Sequence, residues 1–365
     1  MLVGIIGIRG LPAAYGAFDQ CAAAVIETLK ESDPHLIFCV KSIARTGPAI
    51  RNSENVNLFR FPQSKRAILM PLNYLINILI FYCNGCRTFL FFGHGAAIFF
   101  PFLRLLKCKI VCNTDGFEYK RLKWGLVARR YFLLTERLAA LFSNSLVTDS
   151  KAIQSHFFHT YGKQSELIRY GSDRSYLCPH TEELRDKTVS STSIEKSGYC
   201  LMRMEPENNI DLIVDAFVKL TKSGSSSLTL YIIGPATPWF NSAVLPRIRD
   251  CANIKFIGPI YDRLELNVIR DSMEFYIHGH SVGGTNPTLV ESCDFNQARF
   301  VFDCEYSREV VGKNVVYFKD SDGLADALRK FELNPNRFHG NTVITLGPEY
   351  DWPNISRKYR KLITN

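Results

Sequence analysis

Short apolar segments alternate along this chain with stretches of helical period. The alternation stops once, near residue 180, and then starts again. In the first half the pattern predicts strands over residues 3–8, 36–40, 58–61, 88–92, 109–113 and 145–149, with helices between them at 17–29 and 124–142. In the second half it predicts strands at 199–202, 227–233, 254–257, 275–278 and 300–302, with helices at 210–220 and after Pro287. A helix that separates two strands returns the chain along one face of a sheet, so the strands it joins run parallel. The expected class is α/β with doubly wound sheets, and 365 residues at 46% hydrophobic are too many for one comfortable core. The expected organisation is a first domain over 1–180, a linker over 181–197, a second domain over 198–345, and a basic helical segment, 346–365, packing back. The linker reading rests on Thr181-Glu182-Glu183-Leu184-Arg185-Asp186-Lys187 and the Ser/Thr-rich run 189–193, which lack any apolar period. No short internal repeat is present, which argues against a solenoid.

The chain opens Met1-Leu2-Val3-Gly4-Ile5-Ile6-Gly7, which reads as a buried strand rather than a charged, then apolar, then cleavable leader, so a cytoplasmic location is expected. Eleven cysteines, an odd number scattered through strand-like and helical segments, fit a reducing compartment. The spacing Cys83-x2-Cys86 with Cys108-x3-Cys112 resembles a metal framework in outline. Its second pair brackets an apolar strand without a ligand knuckle, so free thiols are expected and no metal.

Charge divides the molecule. Residues 1–180 carry 22 Lys and Arg against 11 Asp and Glu, a net +11, whereas residues 181–365 carry 22 against 24, a net −2. Within the basic half, Lys120, Arg121, Lys123, Trp124, Arg129 and Arg130 interleave cations with aromatics at the expected start of a helix. Such a face suits an anionic bilayer, an acidic lipid-linked substrate or nucleic acid, and equally a solvated helix surface. Residues 67–83 carry no charge, but Pro71, Asn73 and Asn77 interrupt them, and the stretch reads as a buried or interfacial helix rather than a membrane crossing.

Two loops carry chemistry. After the strand 274–278 comes His280-Ser281-Val282-Gly283-Gly284-Thr285-Asn286-Pro287-Thr288-Leu289-Val290-Glu291, a glycine-rich turn into a helix that opens with proline. Gly283 and Gly284 permit close approach of a ligand, Thr285 or Asn286 can cap the helix, and the helix mouth suits a phosphate. The carboxylate of Glu291 can accept two hydrogen bonds from a diol such as a ribose. The alternative is an ordinary capped helix. The other loop, Gly7 to Asp19, departs from the dinucleotide fingerprint in its glycine spacing and lacks an acidic residue at the end of a second strand, which argues against a nicotinamide enzyme. Its length suits a ligand-binding loop at the carboxyl end of a sheet.

Five segments together are similar to glycosyltransferase family 4, in its bacterial rhamnosyltransferase-like branch. They are Gly7-Ile8-Arg9-Gly10-Leu11-Pro12-Ala13-Ala14-Tyr15-Gly16-Ala17-Phe18-Asp19, residues Asn113 to Trp124, Arg203-Met204-Glu205-Pro206-Glu207-Asn208-Asn209-Ile210, Gly258-Pro259-Ile260-Tyr261-Asp262, and His278 to Pro287. The resemblance covers nearly the whole chain in order and spacing. It implies the GT-B architecture, two facing Rossmann-like domains with a cleft between them, the second holding a nucleotide sugar and the first the acceptor. It further implies a metal-independent hexosyltransferase that retains anomeric configuration, with no cofactor beyond the nucleotide-sugar co-substrate.

By that resemblance Arg203 clamps the donor diphosphate, a role a forked guanidinium suits. Asn208 stands where the family usually has a lysine. Glu291 matches the second carboxylate of a Glu-x7-Glu pair, on the nucleotide ribose, and Gly283 stands at the first, leaving Gly284, Thr285 and Asn286 as candidates for sugar recognition, with His280 beside them. Gly16 and Ala17 match a paired-glycine turn near the diphosphate. Asp115 aligns with a histidine position near the donor sugar, where it can bond a hydroxyl, accept the acceptor's proton, or merely cap a turn. His94 is a second candidate, with a structural donor as its alternative. The expected reaction is transfer of a sugar, L-rhamnose from a dTDP donor as the leading choice, to a lipid-linked saccharide in O-antigen or capsule assembly. It would take place at the inner face of the cytoplasmic membrane, against an anionic membrane surface and without nucleic acid. Transfer of another hexose from a UDP or GDP donor, a sugar-nucleotide epimerase and a nucleic-acid binder are the competing readings.

Overall fold

The computed structural model describes residues 1–11, 16–43, 50–53, 55–60, 69–114, 116–172, 196–222, 224, 226–249, 251–313, 315–339 and 344–365. They form two compact units, residues 1–171 with 347–365, and residues 172–346.

The first unit contains β1 (Leu2–Ile6), β2 (Ile37–Lys41), β3 (Ile50–Ser53), β4 (Val56–Phe59), β5 (Thr88–Phe92), β6 (Lys109–Asn113), β7 (Ser145–Thr148) and β8 (Glu166–Leu167). Among the described residues they form one sheet in the order β3-β4-β2-β1-β5-β6-β7-β8. Every neighbouring pair is parallel except β3 on β4. Its central strand β5 reads Thr-Phe-Leu-Phe-Phe and is buried at all five residues, as a strand covered on both faces must be. The chain leaves β1 through Gly7, at φ +97°, where a Cβ would lie 1.9 Å from the Phe92 carbonyl oxygen. Only glycine lets the turn pass so close to the end of β5.

The second unit contains β9 (Ser197–Leu201), β10 (Thr229–Ile233), β11 (Ile254–Gly258), β12 (Phe275–His278), β13 (Ala298–Phe302) and β14 (Val316–Phe318). Its sheet is parallel throughout, in the order β11-β10-β9-β12-β13-β14. Each sheet reverses its winding direction once, between β1 and β5 in one and between β9 and β12 in the other. Open α/β sheets bind ligands at that position, beyond the carboxyl ends of the strands.

The strands expected from sequence fall within two residues of these at either end. The patterns of β3, β8 and β14 are too short or too polar to have announced themselves, and all three lie at sheet edges or beside them. The first unit ends at Gly171 rather than at 180, and the Ser172 hydroxyl hydrogen-bonds to Asp294 of the second unit. The expected linker lies outside the described residues as far as residue 195, and Ser197 already belongs to β9. The helix expected from Trp124 begins at Leu126, after a short 3-10 turn over Glu118–Lys120. The uncharged stretch forms the helix Met70–Cys83, which buries Ile78 and Phe81 and leaves Leu72 and Leu79 exposed. Among the described residues no helix is long and apolar enough to cross a membrane. The described cysteines are free thiols, and no group of three or more metal-ligating side chains is found among the described residues.

The basic C-terminal segment is the helix Trp352–Thr364, which belongs to the first unit. Ile355, Tyr359 and Ile363, spaced four apart, are buried in that unit's core. The Asn113 amide donates to the Tyr359 hydroxyl at 2.5 Å, Lys109 Nζ donates to the Ile363 carbonyl at 3.1 Å, and Arg360 Nε donates to Asp33 at 2.7 Å. A helix with one buried stripe derives its stability from that stripe. Ile355→Ala is therefore expected to lower unfolding stability by about 2–5 kcal/mol, whereas Lys361→Ala on the exposed face stays within about 0.5 kcal/mol. Urea unfolding followed by circular dichroism measures both.

Candidate functional site

At the reversal point of the second sheet, two turns leave adjacent strands and bind each other. The first follows β9 and runs Arg203-Met204-Glu205-Pro206-Glu207-Asn208-Asn209. Pro206–Asn208 make one 3-10 turn, which ends at Asn209 in the left-handed region, φ +52°. The second follows β12 and runs from Gly279 to Asn286. Asn209 Nδ2 donates to the Gly279 carbonyl at 2.7 Å. Both the N–H and the hydroxyl of Ser281 donate to the Glu207 carbonyl, at 3.0 and 2.8 Å. Asn208 Nδ2 donates to the Arg203 carbonyl at 2.7 Å, and Asn208 Oδ1 faces His280 Nδ1 at 2.8 Å. A Cβ at Gly279 would lie 2.2 Å from the Asn208 carbonyl oxygen, so the close approach of the turns requires glycine there. These bonds bring together Arg203, Asn208, His280 and the Gly283–Asn286 loop, all expected at one site.

The mutual bonding occupies polar groups at two of the expected positions. Asn208 is buried, and its amide is spent on the Arg203 carbonyl and the His280 ring rather than turned outward as a substitute for a lysine. The helix mouth differs as well. Asn286 is the cap, and Pro287–Ser292 is only six residues long. Pro287 has no N–H, the Thr288 N–H donates to Asn286 Oδ1 at 2.9 Å, and the N–H groups of Leu289 and Val290 return to the Asn286 carbonyl at 3.1 and 3.2 Å. The first turn thus spends its donors on its own cap. The N–H groups of Thr288, Leu289 and Val290 are therefore not open to an anion at the helix end. Gly283 adopts φ +137°, and a Cβ on it would stand 3.0 Å from His280 Nε2, so the ring edge lies against this loop.

Glu291 occupies the far end of the short helix. Its carboxylate pairs with Arg270, whose side chain is 6% exposed against 24% for Glu291. Burial opposes the charge on Arg270, but the adjacent Glu291 carboxylate together with Tyr199 and Tyr276 outweighs it and raises the guanidinium pKa. One carboxylate oxygen is thus anchored from below, which fixes the orientation of the other. Beneath the loop lie further polar groups. Tyr276 Oη bonds His278 Nδ1 at 2.8 Å and Thr288 Oγ1 at 3.1 Å, and Gln297 Nε2 donates to Tyr199 Oη at 3.0 Å. Burial, with a lesser contribution from His280, pushes the His278 pKa well below the ordinary histidine value.

The described residues expected from the first unit follow strands of its own sheet. Gly16 adopts φ +129° and caps the helix Ala17–Ser32, in which Ala17 is the first residue. The buried Asp19 carboxylate accepts from the Arg9 N–H at 2.8 Å and so fixes the described part of the loop. Asp115 lies outside the described residues. His94 is buried, and its Nδ1 meets Thr135 Oγ1 at 3.1 Å while that hydroxyl donates to the Phe132 carbonyl, which assigns the ring nitrogen as a donor inside the fold. The basic patch is less uniform than its sequence. Arg121 pairs with Glu118 at 2.6 Å, and Trp124 Nε1 donates to the same carboxylate at 2.9 Å. Lys120, Lys123 and Arg130 are exposed, and the exposed apolar residues Leu122, Leu126 and Val127 stand among them, the last two at 77% and 85%.

Solved structures match this chain over its length. Sucrose-phosphate synthase from Thermosynechococcus elongatus aligns with a TM-score of 0.78 at 13% identity, covering 99% of this chain and 98% of that one. Anabaena HepE, in complex with UDP and glucose, aligns at 0.73 and 14% over 99% and 98%. WaaG, a glycosyltransferase involved in lipopolysaccharide biosynthesis, aligns at 0.68 and 13% over 99% and 95%. The fold is GT-B. Residues 1–173 also match a family model described as a domain of unknown function, DUF1972. No curated protein matches the sequence significantly.

Sequence reasoning did not single out Arg270, Tyr276 or His278 as parts of the site. Arg270 sits in the amphipathic helix Arg263–Ser272 and reads there as a surface cation, while His278 closes an apolar strand. Their roles depend on the Pro287–Ser292 helix lying across them. Because His278 stays neutral when folded and titrates near pH 6.5 when unfolded, its contribution to stability is complete above that pH and is lost as pH falls below it. Between pH 7.5 and 5, wild type is expected to lose up to about 1.4 kcal/mol per pH unit more than His278→Gln once below about pH 6.5. Urea midpoints across that range give the comparison.

Proposed function

We propose that this protein is a nucleotide-sugar-dependent glycosyltransferase whose second unit binds the donor. The observation that carries the reading is the joined pair of turns after β9 and β12, at the reversal of a GT-B sheet, where Asn208 links the Arg203 carbonyl to the His280 ring and that ring lies against the loop at Gly283. Arg203 would clamp the diphosphate and stabilise the negative charge that grows on it as the glycosidic bond breaks. The Gly283–Thr285 loop would lie along the diphosphate and sugar, and Glu291, held by Arg270, would accept from the ribose hydroxyls. That HepE was crystallised with UDP and glucose supports a nucleotide-sugar donor. Orientation and leaving-group stabilisation, rather than a metal, would supply catalysis, with retention at the anomeric carbon.

The finer reading follows the family 4 resemblance: L-rhamnose passes from dTDP-rhamnose to a lipid-linked saccharide during O-antigen or capsule assembly. The net +11 of residues 1–180 and the exposed Lys120, Lys123, Arg130, Leu122, Leu126 and Val127 support docking on the anionic inner face of the cytoplasmic membrane from the cytoplasm. Gly16, Ala17 and Asp115 would then act from the first unit, with Asp115 as the candidate to receive the acceptor's proton.

Incubating the pure protein with dTDP-rhamnose, UDP-glucose, UDP-galactose or GDP-mannose and a polyprenyl-diphosphate saccharide tests both levels. Turnover with dTDP-rhamnose is expected, and turnover with a UDP-hexose alone would overturn the choice of sugar while leaving the transferase reading standing. Arg203→Ala is expected to lower kcat by about 100- to 1,000-fold with the thermal transition unchanged. Conversion of the nucleotide sugar without an acceptor would instead favour an epimerase.

A further inference from the structure

The carboxylate of Glu291 is divided between two tasks. Its Oε2 accepts from Arg270 Nη2, no described residue bonds Oε1, and the side chain is partly exposed. The anchor beneath it is fixed on several sides. Arg270 is buried, its Nη1 donates to Asn267 Oδ1 at 3.1 Å, and its guanidinium lies 5.8 Å from the centre of the Phe295 ring. A guanidinium keeps its proton at every physiological pH, so titration does not release Oε2. The helix that carries Glu291 is held as well. Arg299 Nε donates to the Ser292 hydroxyl at 3.3 Å, and its Nη2 donates to the Phe295 carbonyl at 2.6 Å, just past the helix end. The carboxylate thus has one oxygen left for a ligand.

We propose that Arg270 sets the class of nucleotide this site accepts: by occupying Oε2 it limits Glu291 to one sugar hydroxyl, the 3′-OH, so that ribose and 2′-deoxyribose nucleotides bind alike. This inference rests on the donor assignment above, which puts Glu291 on the ribose. The chemistry turns on acceptors left unmet. A carboxylate with both oxygens facing a ribose takes the 2′-OH and the 3′-OH one apiece. A 2′-deoxy sugar then leaves a charged acceptor without its bond, a cost that lets such a site reject the analogue. Here the oxygen that a 2′-OH would satisfy is already taken by a stronger, charge-assisted donor. The 3′-OH, present in both sugars, is enough for Oε1. Arg270 acts only through Glu291 and is a positioning residue. A site of this kind suits a thymidine diphosphate donor, whose sugar has no 2′-OH, as well as a uridine or guanosine diphosphate donor.

Isothermal titration of the full-length protein compares base-matched pairs: UDP with dUDP, ribothymidine diphosphate with dTDP, and GDP with dGDP, together with the 3′-deoxyribose form of whichever base binds. The two members of a pair that binds are expected to differ by less than about threefold in Kd, whereas the 3′-deoxyribose form binds about ten- to a hundredfold more weakly. Glu291→Ala is expected to weaken the ribose and 2′-deoxyribose forms alike, by about that same factor, with no further loss for the 3′-deoxyribose form. Arg270→Met frees Oε2 and is expected to make the ribose form bind about tenfold or more tighter than the 2′-deoxyribose form, while Arg270→Lys, which keeps a cation under Oε2, holds the two alike. A purely structural Arg270 would move both affinities together and leave their ratio unchanged. A circular-dichroism melt checks that Arg270→Met folds, and the wild-type and Glu291→Ala comparisons decide without it. A wild-type preference of about tenfold or more for the ribose form, equal binding of the 3′-deoxyribose form, or an unchanged ratio in folded Arg270→Met overturns the inference and leaves the donor assignment standing. Failure of wild type to bind any of these nucleotides overturns the assignment and the inference together.

Discussion

Two turns that leave neighbouring parallel strands carry most of the second unit's site, and each holds the other through its own backbone. Ser281 gives both its N–H and its hydroxyl to the Glu207 carbonyl, Asn209 reaches the Gly279 carbonyl, and Asn208 bridges Arg203 to His280. None of these residues is far from a strand end, so the rigidity of a fully parallel, buried sheet passes into the loops with little intervening chain. A site that must meet a charged ligand has to hold its polar groups apart from one another's charge and close to where the ligand's charge lies. Neutral amides and backbone carbonyls do the holding here.

The short helix Pro287–Ser292 shows how far local pattern and local chemistry can diverge. A glycine-rich turn entering a proline-initiated helix is the usual form of an anion site. In this chain the cap residue Asn286 takes up the donors of the first turn, and the helix serves instead to carry Glu291 onto Arg270. The loop that remains depends on Gly283, whose backbone angle and nearness to the His280 ring exclude a side chain without strain. The absence of a carboxylate at this position is thereby given a steric reason.

In the first unit the buried stripe of the C-terminal helix is as structural as any strand. Ile355, Tyr359 and Ile363 enter a core that also contains Val3, Phe92 and Val111, so residues from both ends of the chain close one hydrophobic cluster. The basic and apolar surface around Leu126 and Val127 stands on the same unit. Pairing of Arg121 with Glu118 thins its charge and leaves Lys120, Lys123 and Arg130 as its exposed cations, with Arg129 half-buried beside them.

The alternation of apolar strand and amphipathic helix determined the α/β class, two sheets and most strand positions, because burial on both faces of a parallel sheet demands continuous apolar runs. Glycines at 7 and 283 and the polar clusters beside them were legible as turns for the same local reason. The short edge strands were not, since their partners are distant in sequence and their own patterns are weak. Nor was the function of individual polar groups at the site. Whether Asn208 faces a ligand or a histidine, whether the first N–H groups of a helix are open or spent, and whether Arg270 lies on the surface or under Glu291 each depend on which atoms come within three ångströms of one another. That distance is set by how β9 and β12 lie side by side, a pairing across more than seventy residues that only the tertiary structure decides.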